Sequence, residues 1–281
     1  MKKLRTLAIC NLLIFLVHVA LSYATNYKLL NSVDVGEVSD KYNSLFTPVG
    51  RTFAIWGVIY IALLGFCIYH LVSAYRQSML HQSNIDLSRI GVWFILNNLF
   101  TIAWLLLWTN QQIDASLLMI ALQLITLIII NLRLRIHDPQ GNIGSKVFTQ
   151  FPLSIYFGWI TIASIANTAI YLVAIDWNGF DTGYSAITWT RLMIAVAVLI
   201  AVLVVLTRKN VFFGLVVIWA LYGIVLKRKE INAEFFSDII LTAWTGMAVV
   251  AIVCLIQLVR NLSISKKTHH PDFPLAGHAA K

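Results

Sequence analysis

The stretch FPLSIYFGWITIASIANTAIYLVAI, residues 151–175, decides how this chain is read. It is a continuous apolar run, as long as the roughly 20 residues that cross a hydrocarbon core as a helix. It carries Tyr156, Trp159, Ala163 and Asn167. The last three fall at i, i+4 and i+8, with Tyr156 three residues before, so one helix face presents two aromatics, a small gap and an amide. In hydrocarbon an amide without a partner carries a penalty on the order of several kcal/mol. That face therefore looks into a protein interior or a pocket.

The rest of the chain is consistent with that solvent. Its 281 residues are 59% hydrophobic and only 12% charged, with a mean hydropathy of +0.79. This is too apolar for a water-soluble domain of that length and matches the membrane class. The formal charge is +9. The basic residues sit singly or in short groups between apolar runs, so they orient helices and do not mark a nucleic-acid surface. The expected partner is the lipid bilayer. Cys10, Cys67 and Cys254 each lie within an apolar run and read as free, packed thiols, with no metal-ligand spacing among them.

Eight apolar runs follow one another, near 4–24, 52–72, 90–108, 115–132, 151–175, 191–206, 211–226 and 236–259. The expected fold is all-α, a polytopic transmembrane helix bundle of about eight spans. The first run follows Lys2, Lys3 and Arg5 and ends in Ser22-Tyr23-Ala24, a pattern shared with cleavable signal peptides; its length favours a retained helix. His18 within it reads as an inward-facing hydrogen-bonding residue. Residues 25–51 form a polar connection, long enough to fold back as a lid or to remain a solvated loop. In the third run Asn97 and Asn98 are adjacent, and a rotation of about 100° per residue sends them to different helix faces. Residues 133–150 read as a basic loop broken by Pro139 and Gly141, and 176–190 as a polar loop with turns at Gly179 and Gly183. The sixth and seventh runs are short and need flanking residues or a thinner bilayer to span.

With the N-terminus inside, eight spans place fourteen of the 21 Lys and Arg on the inner side and seven outside, Lys227, Arg228 and Lys229 being the clear violation. The expectation is an integral, multi-pass protein of a bacterial cytoplasmic membrane with both termini inside. No phosphate-binding loop, HExxH or nucleophile elbow is present, and no repeat relates the two halves.

Three spaced patterns in order carry a resemblance. They are Tyr156, Trp159, Ala163 and Asn167 in the fifth run; Pro48, Trp56 and Tyr60 at the second; and Leu96-Asn97 followed by Trp104 in the third. In these the chain resembles the translocator-protein family, the tryptophan-rich sensory proteins (TspO/MBR). It departs from the family pattern at Gly50 and Phe100, where the family has Trp, at Ile155, where it has Pro, and at Leu64, where it has Gly. The resemblance covers residues 1–175 and makes the chain look like a long form: a five-helix unit over 1–175, a three-helix extension over 176–260, and a disordered basic tail over 261–281.

The resemblance implies a bundle with an interhelical pocket, open toward the first loop, that binds tetrapyrroles such as porphyrin or haem and sometimes sterols. No covalently bound cofactor is implied, and a homodimer is left open. At 1.5 Å per residue, Trp159 and Asn97 lie about 10–12 Å from the inner ends of their spans, and Trp56 about 6 Å in from the opposite side, depths compatible with one cavity. The candidate ligand-binding residues are Trp56, Tyr60, Asn97, Phe100, Trp104, Tyr156, Trp159, Ala163 and Asn167. Trp93, Trp177, Trp189, Trp219 and Trp244 read as interfacial belt or packing. A binding protein in a sensory or regulatory role needs a pocket and no reactive group, and that is what these residues display. A transporter of tetrapyrroles or other small hydrophobic molecules, and an enzyme-like promoter of porphyrin breakdown acting through Trp56 or Trp159, are the alternatives. Residues 190–281 are expected to be dispensable for binding.

Overall fold

The computed structural model describes residues 1–30, 32–42, 44–134, 142–177 and 185–269, with side chains in the last helix described to Ser263. The turns expected at Pro139, Gly141, Gly179 and Gly183, and the chain beyond His269, lie outside the described residues.

Among the described residues the regular structure is all helical. In chain order the helices are α1 (Lys2–Asn26), α2 (Val35–Lys41), α3 (Ile55–Arg76), α4 (Gln82–Ile90), α5 (Trp93–Thr109), α6 (Ile113–Leu134), α7 (Ile143–Ser145), α8 (Phe151–Ala174), α9 (Ala186–Arg208), α10 (Val211–Asn232) and α11 (Ser237–His269). A 3-10 turn, Gly50–Ala54, leads into α3, and a π-turn, Lys146–Gln150, leads into α8. Among the described residues seven helices are long and apolar enough to cross a membrane, and the bent pair α4 and α5, taken as one span, makes an eighth. The bend is 52° and falls at Gly91, whose φ of 56° together with ψ of −138° is a backbone conformation that glycine, lacking Cβ, adopts without strain. Polar and apolar residues are placed for a hydrocarbon solvent. His18, Asn97, Asn98 and Gln123 are buried, while Leu13, Ile61, Leu199, Leu241 and Leu255 face outward. The chain is a multi-pass integral membrane protein.

Local chemistry explains where the elements depart from the sequence reading. The loop expected before the fifth span is partly helical, because α7 and the π-turn run straight into α8. Pro152, in the first turn of α8, has no N–H to donate, and a wide π-turn just before it accommodates the lost bond. The short sixth and seventh runs become helices of 23 and 22 residues by recruiting Ala186–Thr190 and Lys227–Asn232. α11 continues to His269, past the expected start of the tail at 261, where no Pro or Gly lies between residue 261 and Pro271. The lid alternative holds for the first loop: Asp34 and Glu37 form a reciprocal capping box that starts α2, and the segment folds back over the bundle.

α1 packs on α3 and α5, α6 lies between α5 and α8, and α10 packs on α8 and against α11 and α9, which also pack on each other. α8 is buried along both sides. One face meets α10 at Gly158, where a Cβ would sit 3.1 Å from Phe213 O. The other looks into the five-helix unit formed by α1, α3, α5, α6 and α8. The basic cluster that violated the charge count is engaged: Lys227 pairs with Asp40, and Arg228 and Lys229 lie over the rings of Phe236 and Trp244. Cys67 and Cys254 are buried and Cys10 is exposed, and none is in a disulfide.

Candidate ligand pocket

Two cavities with shared walls lie at the first-loop end of the five-helix unit. The outer one has a volume of about 350 Å³, and its floor and sides come from Ser22 of α1, Trp56 and Tyr60 of α3, and Thr101, Trp104 and Leu105 of α5. Its roof comes from the folded-back loop, through Asp34, Val35, Gly36, Gly50 and Phe53. The inner one is a slit of about 40 Å³ reaching Trp159, Ala163 and Asn167 on α8 and Ile120 and Gln123 on α6. Val35, Phe53, Trp56 and Trp104 line both.

Helical spacing brings these side chains together. Trp56 and Tyr60, one turn apart, have ring centroids 5.3 Å apart, and Trp56 meets Trp159 edge-on at 6.2 Å. Trp104 and Trp108 stack at 5.6 Å. The indole N–H of Trp104 donates to Asn167 Oδ1 at 3.0 Å, which ties α5 to α8 across the slit and supplies the amide's partner on another helix. The Trp108 N–H donates to Val35 O at 3.1 Å and holds α2 down. The Trp159 indole N–H is buried with no acceptor among the described residues.

Polar groups cluster on the outer cavity's α1 and α5 sides. The Ser22 hydroxyl lies 2.7 Å from the Tyr60 hydroxyl, and Thr101 Oγ1 lies 3.0 Å from the Tyr156 hydroxyl. One turn below Ser22, His18 Nδ1 lies 2.9 Å from Asn98 Oδ1. Asn98 Nδ2 already donates to Phe94 O, so Oδ1 is the acceptor and the imidazole proton is assigned to Nδ1. Neither cavity is lined by a Lys, Arg or His. The one charge in the lining is Asp34, whose carboxylate accepts the backbone N–H groups of Gly36 and Glu37. Next to it, the Lys28 ammonium holds the Glu37 carboxyl below its usual range, and Glu37 raises Lys28 in turn. The interior therefore suits an apolar, flat body, with hydroxyls along one edge.

The nine candidate residues divide. Trp56, Tyr60, Trp104, Trp159, Ala163 and Asn167 line the cavities. Tyr156 stands behind them, buried, with its ring 6.1 Å from Trp56. Asn97 faces α6 instead, where Nδ2 donates to Gln123 O at 3.1 Å and Thr126 Oγ1 at 2.8 Å. Phe100 lines neither cavity. Of the departures from the family pattern, Gly50 alone is in the lining, at a point where a Cβ would meet nothing within 4 Å. Sequence reasoning missed Thr101, although it lies four residues after Asn97 and three before Trp104, and Asp34, although Asp34-Val-Gly-Glu37 is a capping-box signature.

The fold and the cavities define a class: a helical membrane protein with an aromatic, interhelical pocket roofed by its first loop. The model of a family described as TSPO-like protein matches residues 8–256, and the chain belongs to that family. The matched region runs past the five-helix unit, through α9 and α10 and into α11. No curated protein and no solved structure matches the chain.

Proposed function

We propose that this protein binds a planar tetrapyrrole, a porphyrin or haem, in the paired cavities, in a sensory or regulatory role. The observation that carries the reading is the sharing of Phe53, Trp56 and Trp104 between an outer cavity of ligand size and an inner slit. A flat ring system is the body that such aromatic walls bind with most contact. The buried, unpartnered Trp159 N–H supports a ligand that carries an acceptor. A sterol-like ligand is a rival for the same walls. The lining offers no cation, so any carboxylates on the ligand are expected to face out of the cavities. On the charge count the mouth faces outward and both termini inward.

The test is a titration of the purified full-length protein with protoporphyrin and with haem, followed by tryptophan fluorescence. Saturable quenching at low micromolar concentration, about −8 kcal/mol, is expected. Its absence in folded protein refutes the ligand. Flux into proteoliposomes marks the transport alternative, and single-turnover spectra of bound porphyrin mark breakdown.

A further inference from the structure

The three helices beyond residue 175 contribute nothing to the lining of the two cavities, yet one of them holds the segment that does. α10 meets the first loop repeatedly. The Val49 N–H donates to Gly223 O at 3.1 Å, and the Trp219 N–H to Thr52 O at 2.9 Å. Lys227 pairs with Asp40 of α2, and Arg51 with Glu230 at 2.8 Å. At Gly223 the approach is so close that a Cβ would lie 2.1 Å from Thr52 Oγ1 and 2.9 Å from Pro48 Cβ. The residues beside these contacts face the ligand site. Gly50 and Phe53 line the outer cavity, Pro48 and Phe53 the inner one, and Phe53 meets Trp159 edge-on at 5.7 Å.

From this juxtaposition we propose that α10 latches the mouth of the cavities. Trp219, Gly223 and Lys227 are positioning residues that hold Pro48–Phe53 and α2 over the site, so the C-terminal helices set how readily a molecule reaches it. The loop's own regular structure is a helix of seven residues and a 3-10 turn, elements too short to be stable alone. Its closed position is therefore set by what it leans on. Exposed ion pairs are weak and screened by salt, so the two backbone-accepted hydrogen bonds and the contact at Gly223 carry most of the hold. Ligand exchange then requires the loop to part from α10. The proposal rests on the cavities being the ligand site, but access to them is measurable without any ligand.

Ser22→Cys places a thiol in the outer cavity, and its reaction with a charged, water-soluble thiol reagent reports opening, after subtraction of the rate without that substitution. Gly223→Ala and Trp219→Phe are compared with the unchanged latch, all as full-length protein in lipid nanodiscs. Alanine is a better helix former than glycine, so Gly223→Ala leaves α10 intact and displaces only the loop. Trp219→Phe keeps a ring and removes the N–H, and carries the test if Gly223→Ala does not fold. Each is expected to raise the thiol rate about tenfold, the scale of one lost hydrogen bond, and to raise the porphyrin dissociation rate in parallel. Lys227→Glu should raise it less, and adding Asp40→Lys should restore it. Unchanged thiol rates in both α10 variants overturn the latch. A raised thiol rate with no porphyrin bound by any form upholds the latch and refutes the ligand.

Discussion

The seam between α5 and α6 and the cavity wall between α5 and α8 each hold one buried asparagine beside aromatic residues, and the two are used differently. At the seam, Asn97 is fully buried and lines neither cavity; both of its Nδ2 bonds are made to α6, and its Oδ1 has no partner among the described residues. At the wall, Asn167 accepts from Trp104 and borders the slit, so its amide fixes the orientation of a ring that a ligand would touch. An amide in a span needs a partner in either case. What separates packing from a binding site is whether the partner's other face is empty.

The largest expected effect is on the wall. Trp56→Ala removes a ring that faces both cavities, and porphyrin affinity should fall about thirtyfold, about 2 kcal/mol. An unchanged dissociation constant would move the site away from α3. At the seam the effect should be on stability alone. Asn97→Leu leaves Gln123 and Thr126 short of a donor, lowering thermal stability by about 1–3 kcal/mol with affinity unchanged. A loss of affinity at constant stability would place Asn97 in the site after all. Asn167→Leu should show both effects, each smaller. Interhelical hydrogen bonds in membranes average about 0.6 kcal/mol, and here the Trp104 N–H is left without its acceptor. If stability holds while affinity falls, Asn167 touches the ligand directly.

The smallest effect concerns the roof. Glu37 is held below its ordinary value of 4.5 chiefly by the hydrogen bond from Lys28, and Lys28 above its ordinary 10.5 chiefly by Glu37. The Glu37 contribution is complete above about pH 4.5 and is lost as pH falls through the lowered value. The Lys28 contribution is complete below about pH 10.5 and is lost as pH rises through the raised one. Amide exchange over residues 28–41 should therefore be slowest, relative to intrinsic rates, between those limits, and salt should speed it. A salt-independent profile would show that this exposed pair holds nothing.

Much of the fold was legible because hydrocarbon imposes a simple rule on composition. All eight runs are helices, and the inward face of α8 followed from the i, i+4, i+8 spacing of Trp159, Ala163 and Asn167. The cavity lining was legible wherever a helix face alone decides, as for Trp56 with Tyr60. It was not legible where the answer depends on which neighbour a face meets. Asn97 and Trp104 lie seven residues apart on α5, nearly on one face, but the first meets α6 and the second meets open space. The contacts of α10 with the first loop were hidden for the same reason. Residues 190–281 were set apart because the polar loop 176–190 suits a boundary and the family pattern ends before it, whereas the contacts of Gly223 and Trp219 with the first loop are made by backbone and by one N–H, which leave no pattern in a sequence.

Trp159 tests the central claim most directly, because it borders the slit, meets Trp56 and Phe53 edge-on, and keeps a buried N–H without an acceptor. The measurement is a protoporphyrin titration of Trp159→Phe, with bound-ligand absorption spectra and a thermal unfolding curve of the ligand-free protein. A ring is retained, so the unfolding midpoint should stay near that of the unchanged protein, within about 1–2 kcal/mol. Affinity should fall and the bound spectrum should shift. Unchanged affinity and spectra, together with a destabilised ligand-free protein, would make Trp159 a packing residue and contradict the pocket described above.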